Sequence, residues 1–203
     1  MNLKALNSPV AYLALQSVIG GMNARFRMLE DYVTPKKGDR ILDIGCGPGF
    51  LSKRLQGTDY VGFDVDRNYI SYAQSKYNRF GTFHAAEFDR QWLDKLEKFD
   101  LVLMNGLLHH LDDAAARSLL ELSGNALKPD GRIFTLDGCY QAHQGAIAKW
   151  FLDSDRGKFV RSPKGYADLV PQGLKLVRAP IHEDYMYIPY SMVVMEIRHA
   201  GGS

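Results

Sequence analysis

The stretch Ile41-Leu42-Asp43-Ile44-Gly45-Cys46-Gly47-Pro48-Gly49-Phe50 limits the possible folds more than any other part of the chain. Its opening residues are apolar, β-branched and too few for a helix, which reads as a buried parallel strand. The Gly-x-Gly-x-Gly that follows lets backbone approach a ligand where a Cβ would interfere. Leu51-Ser52-Lys53-Arg54-Leu55 then begins a helix, so the loop presents free N–H groups at its start. Strand, glycine loop and helix in this order mark a nucleotide-type cofactor site at the carboxyl end of a parallel sheet.

Spacing narrows the cofactor. The dinucleotide fingerprint G-x-G-x-x-G/A needs a third small residue where this chain has Phe50, because its third glycine comes one position early, at Gly49. No Gly-Lys-Ser/Thr follows, so the loop is not a phosphate-binding P-loop. Asp64 ends the next strand, Tyr60-Val61-Gly62-Phe63-Asp64, nineteen positions after Gly45. An acid there accepts hydrogen bonds from both ribose hydroxyls. The spacing describes a cofactor with a ribose and no pyrophosphate.

Four motifs now stand in order between Gly38 and Asp137: LDIGCGPGF, VGFDVD, FDLVLMNGLLHHLDD and LKPDGRIFTLDG. Together they resemble the class I S-adenosylmethionine-dependent methyltransferases over about half of the chain. The resemblance implies a Rossmann-like, doubly wound α/β fold with a seven-stranded, mostly parallel sheet and an antiparallel last strand. It implies S-adenosyl-L-methionine as cofactor, and names no substrate. By the same resemblance, Asp43 orients the loop and the methionine ammonium, and Gly45, Cys46 and Gly47 offer backbone to the methionyl portion and ribose. Asp64 holds the ribose, with Val65 beside the adenine. Glu87, in competition with Asp89, accepts from the exocyclic amine while Phe88 packs on the ring. Asn105 and Gly106 meet the ammonium through backbone carbonyls, and Leu107 lines the pocket near the sulfur. Cys46 reads as a small loop residue and not a nucleophile.

A chain of 203 residues with a formal net charge of +2 reads as one soluble domain without general nucleic-acid affinity. The basic residues Arg25, Arg27, Lys36, Lys37 and Arg40 are interleaved with Glu30, Asp31 and Asp39. The two cysteines, Cys46 and Cys139, lie in different motifs, so no structural disulfide is expected, and no apolar run reaches membrane length. The segment Val10–Met22 lacks a cleavage site, and the expected location is the cytoplasm. Residues 1–38 are expected to be an N-terminal packing segment or, as the resemblance implies, part of a lid. There Leu15, Val18, Ile19, Met22, Phe26 and Leu29 fall at helical spacing, with Gly20-Gly21 weakening or bending the helix, and Tyr12 is a candidate substrate contact. Helices are expected at Arg67–Tyr77 and from Asp112 or Asp113 to about Leu127. Strands are expected at Thr82–Ala85, Phe99–Met104 and Arg132–Leu136, with Pro129-Asp130-Gly131 as a turn. Leu174–Ile181 and Met192–Arg198 read as a closing pair of strands.

Methyl transfer from a sulfonium is an in-line displacement, so alignment supplies much of the rate and a base matters only for an acceptor that must lose a proton. Candidates at the ends of the fourth and fifth strands are His110, His109, Asp137 and His143, with Tyr140 as a substrate contact. The adjacent histidines do not have metal-ligand spacing, and a capping role competes with that of a base. Asn105 and Asp137 alone do not make an acid-rich metal site, so no metal is expected. The insert 138–173 is the expected substrate selector. Arg156, Lys158, Arg161 and Lys164 crowd there beside Trp150, Phe159 and Tyr166, either as a clamp for an anionic acceptor or as a solvated basic loop. The expected reaction is methyl transfer to a small molecule, oxygen before nitrogen. Two alternatives stay open: an RNA or protein methyltransferase, and a non-catalytic S-adenosylmethionine-binding partner subunit. The sequence does not fix oligomeric state.

Overall fold

The computed structural model describes residues 8–154 and 157–201. Five strands run parallel: β1 (Arg40–Ile44), β2 (Asp59–Asp64), β3 (Thr82–Ala85), β4 (Phe99–Asn105) and β5 (Leu127–Gly138). Next to β5 lies β8 (Met192–His199), antiparallel both to it and to β6 (Leu174–Arg178), giving the order β3-β2-β1-β4-β5-β8-β6. This is the expected sheet with one addition: a two-residue β7 (Ile181–His182) also pairs with β8.

Burial on both faces explains the near-continuous apolar runs of the central strands. Ile41, Leu101, Leu103 and Phe134 point into one apolar layer, with Ile70 and Ala73 of α3 (Arg67–Tyr77). Leu42, Val102, Met104 and Ile133 point into the other, with Ala116 and Leu120 of α5 (Asp113–Ala126). Each such aliphatic side chain, fully buried, contributes about 1.5–3 kcal/mol relative to exposure. Side-chain caps set the helix starts: Asp66 accepts from Asn68 N at 2.8 Å, and Asp112 from Ala115 N at 2.9 Å. A short α4 (Arg90–Leu93) precedes β4, while α6 (Ala146–Asp153) and α7 (Pro163–Ala167) occupy the insert.

Two local expectations are corrected and a third is refined. The N-terminal stripe does not form one bent helix; α1 (Pro9–Ile19) stops at Gly20 with φ +87°, and α2 (Gly21–Met28) starts afresh before a π-helical turn, Leu29–Val33. The break changes the helical phase, so Val18 is 75% exposed while Leu29 is core. A Cβ at Gly20 would lie 2.4 Å from Tyr187 N, and Tyr187 N donates to Ile19 O, so the 182–190 segment straps the break. The helix after the glycine loop is a six-residue 3-10 turn, Phe50–Leu55. Pro129-Asp130-Gly131 lies inside β5, yet the ladder steps from Leu127 to Arg132 while its partner moves only from Phe99 to Leu101. The turn thus survives as an outward bulge.

Candidate active site

The glycine loop hangs from the end of β2. Gly45 N and Cys46 N both donate to Phe63 O, at 2.8 and 3.0 Å, and Gly47 N donates to Asp64 Oδ2 at 2.8 Å. Gly49 has φ +75°, and a Cβ there would lie 2.7 Å from both Ala73 Cβ and the Phe83 ring. The third glycine therefore serves helix–strand packing despite its early position. Phe50 does not crowd the loop: its ring is buried against Phe26, with the Arg25 guanidinium above it. The Cys46 thiol packs where Gly62 lacks a Cβ, and burial pushes its pKa well above the ordinary value, which suits a structural thiol.

Asp64 is held at both oxygens, Oδ1 by Asp66 N and Oδ2 by Gly47 N, each at 2.8 Å. Burial raises its pKa, opposed by those backbone donors. A carboxylate has about four acceptor positions, so two remain for a diol. Val65 is 72% exposed beside it, and Glu87 is also exposed. Phe88 is placed differently from expectation: its ring is buried edge-on against Phe63, centroids 5.2 Å apart, and offers no open face. Asp89, the rival to Glu87, is also exposed and caps α4 by accepting from Gln91 N at 2.9 Å.

Behind the loop, Tyr12, Arg25, Asp43, Gly45, Cys46, Gly47, Phe50, Leu51 and Asn105 line a small cavity. Asp43 is 2% exposed; Oδ2 accepts from Tyr60 OH at 2.6 Å, whereas buried Oδ1 has no partner. Desolvation pushes the Asp43 pKa up to about 7, against the hydrogen bond from Tyr60 and the charge of Arg25. Both amide atoms of buried Asn105 also lack partners. Each such buried, unsatisfied group costs about 1–3 kcal/mol, so the cavity suits a polar, charged ligand. Gly106 continues from β4 with its N–H on Leu136 O, and the Leu107 side chain lies against Gly45.

Arg25 is the residue that sequence reasoning missed here. Its guanidinium donates to Gln16 Oε1 at 2.9 Å, Gly21 O at 2.8 Å and Tyr12 OH at 3.3 Å. Nη2 sits 3.4 Å from where a Gly106 Cβ would be, which brings a cation over the end of β4. Tyr12, expected to meet substrate, lines this cavity instead, its ring tilted on Tyr69. The unpartnered Asp43 and Asn105 atoms with the Arg25 cation fit a zwitterionic amino-acid end, and Asp64 fits a ribose. The residues therefore fit S-adenosylmethionine.

On the other side of Gly106, the 3-10 turn Leu108–His110 brings His109 to β5. His109 Nδ1 lies 2.8 Å from Asp137 Oδ1, and His109 N donates to the same oxygen at 3.2 Å. Asp137 is fully buried, and its Oδ2 has no hydrogen-bond partner. The His109 Cε1 atom is 3.6 Å from where a Gly106 Cβ would be, so imidazole and guanidinium meet over one glycine. His110 is exposed beside it, ring centroids 4.3 Å apart.

The remaining candidates are dispersed. His143 is exposed in a turn, and Tyr140 OH donates to Asp153 at 2.7 Å. Arg156 lies outside the described residues. Arg161 donates to Leu108 O, Leu111 O, Phe159 O and twice to Asp113 Oδ1, at 2.7–3.0 Å, which engages all five guanidinium protons. Lys164 pairs with Asp168 at 2.6 Å. Among the described residues the insert therefore assembles no anion clamp around Arg161.

Residues 23–170 match a family model described as a methyltransferase domain. A ubiquinone biosynthesis O-methyltransferase of Bartonella bacilliformis is 31% identical over 155 residues, covering 70% of this chain and 59% of that protein. The same-named protein of Azorhizobium caulinodans is 37% identical over 103 residues, covering 48% and 39%. The chain thus spans about half the length of the curated relatives it matches. A TehB-like SAM-dependent methyltransferase from Corynebacterium glutamicum shares the fold, with TM-score 0.55, 24% identity, and coverage of 90% and 88%.

Proposed function

We propose that this chain, which belongs to the class I S-adenosylmethionine-dependent methyltransferase family, methylates a hydroxyl oxygen of a small molecule, with His109 as the base. The observation that carries the reading is the buried His109–Asp137 pair beside the cofactor cavity. A hydroxyl must lose its proton during transfer and gains from a positioned base, whereas a neutral amine does not need one to react.

The cofactor supplies an electrophilic methyl group on a sulfonium. Asp64 would hold the ribose hydroxyls, and Arg25, Asp43 and Asn105 would hold the amino-acid end. Asp137 Oδ1 already accepts the His109 backbone N–H, so it also meets Nδ1 as an acceptor. With Asp137 as a carboxylate, Nδ1 carries the proton and Nε2 is the basic nitrogen, and the carboxylate stabilises the imidazolium that forms. Burial of the pair excludes water that would otherwise compete for the proton.

Quinone-type phenols are the first acceptors to try, because both relatives above are named for ubiquinone biosynthesis. An anionic acceptor would find Arg161 already engaged. Two buried free cysteines suit a reducing, cytoplasmic setting. The test is methyl transfer from labelled S-adenosylmethionine to a panel of catechols and hydroquinones by wild type and His109→Gln. A loss of about 10²- to 10⁴-fold in kcat at unchanged cofactor affinity is expected for a missing base. Equal rates would remove His109 from the mechanism, and methylation only of RNA or protein would replace the small-molecule reading.

A further inference from the structure

We infer that Arg161 is the positioning residue of the His109–Asp137 pair: it braces the turn that carries His109 against the end of the strand that carries Asp137. The inference rests on the reading of His109 as the base.

The brace has two ends. Through its backbone, Arg161 joins β5 just beyond Asp137, forming a parallel bridge with Cys139 and accepting Tyr140 N at 3.1 Å. Through its side chain it holds the His109 turn, donating to the carbonyls on either side: Leu108 O at 3.0 Å and Leu111 O at 2.7 Å. A third donor reaches Phe159 O at 2.8 Å, and Phe159 N in turn donates to His109 O at 2.9 Å. Asp113, at the start of α5, takes the remaining two donors on one oxygen and keeps the guanidinium plane in place.

The side chain of Arg161 is only 10% exposed, which removes most of the water that would compete for these carbonyls. The same insert closes over the imidazole itself: a Cβ at Gly157 would lie 2.0 Å from His109 Cδ2. Any slide of the turn relative to β5 therefore has to break the Arg161 contacts, and it would separate Nδ1 from Asp137 Oδ1. A lysine cannot replace the fork, because one ammonium cannot reach two carbonyls of the turn, Phe159 O and Asp113 together. Arg161 then acts on the reaction through alignment of the base and not through charge on the substrate.

The experiment uses the full chain as wild type, Arg161→Met, Arg161→Lys and Asp113→Ala, with His109→Gln as reference. Two quantities are read: kcat with KM for each substrate, and the ¹⁵N imidazole resonances of His109 as pH is varied. Arg161→Met and Arg161→Lys should lower kcat by about 10- to 100-fold, the scale of an ångström-sized misplacement. S-adenosylmethionine affinity should stay unchanged, and the His109 Nδ1–H signature should shift towards an exchanging imidazole. Asp113→Ala removes only the mostly exposed anchor of the brace and should move the same signature less far, which keeps the idea testable if the Arg161 variants fail to fold. An unchanged His109 signature with unchanged kcat in the Arg161 variants, or an unmoved signature in Asp113→Ala if those do not fold, overturns the brace. If His109→Gln retains activity while Arg161→Met disturbs the signature, the base assignment falls and the brace stands.

Discussion

The Tyr60 hydroxyl donates to Asp43 Oδ2 across 2.6 Å, beneath the glycine loop and out of reach of solvent. That bond satisfies half of the carboxyl group, and Oδ1 is left to face the cavity that Arg25 and Asn105 also line. Burial outweighs the tyrosine and raises the Asp43 pKa to about 7, while burial and then the proximity of Asp43 push Tyr60 well above its ordinary range.

The sign of the resulting pH dependence follows from linkage. Asp43 binds its proton more tightly in the folded protein than in the unfolded chain, so its contribution to stability is full below its ordinary pKa of 3.8 and is lost as pH rises towards about 7. In chemical denaturation without cofactor, stability should fall across that window, and Asp43→Asn should flatten the fall. Cofactor affinity should run the other way, increasing as pH approaches and passes 7, because the ligand ammonium prefers the ionised carboxylate. A wild-type stability profile matching that of Asp43→Asn would contradict both statements.

Arg25 should matter only for ligands that carry the amino-acid end. Arg25→Met is expected to weaken S-adenosylmethionine and S-adenosylhomocysteine by about 10- to 100-fold, the scale of one lost charge-assisted hydrogen bond. Binding of methylthioadenosine, which has the nucleoside and the thioether but no amino acid, should stay as in wild type. Calorimetry with the three ligands separates a local contact from general damage to the site.

Gly49 should tolerate no side chain. Its φ of +75° and the 2.7 Å approach to Ala73 and Phe83 combine left-handed backbone strain with overpacking. Gly49→Ala is expected to lose about 2–5 kcal/mol in urea unfolding. A loss as small as that of a surface substitution would mean that the loop does not pack against α3 as described.

The cofactor half of the site is more legible in the sequence than the acceptor half, for a physical reason. Gly45, Gly47 and Asp64 act through local backbone geometry at the ends of adjacent strands, so spacing alone conveys it. Arg25 sits on a separate helix, and nothing near it in the chain distinguishes a cation over β4 from a solvated one. The same holds for Arg161, whose partners other than Phe159 O lie 48 to 53 residues away. A charge run shows that cations are present and not whether their donors are already engaged. Phe88 is a third case: aromatic character predicts packing, but not that the ring it meets is that of Phe63 on β2. The N-terminal stripe fails for a different reason. Gly20-Gly21 marks the break, but the strap from Tyr187 that re-phases the helix comes from the far end of the chain.

The most direct test of the account is calorimetric titration of wild type and Asp64→Asn with S-adenosylmethionine. The substitution keeps the shape and an acceptor oxygen but removes the charge proposed to meet the ribose. Saturable one-site binding to wild type, weakened by about 10- to 100-fold in Asp64→Asn, is the predicted result, on the scale of charge-assisted hydrogen bonds. Equal affinity in the two proteins, or no binding to a folded wild type, would contradict the cofactor site on which every later step depends.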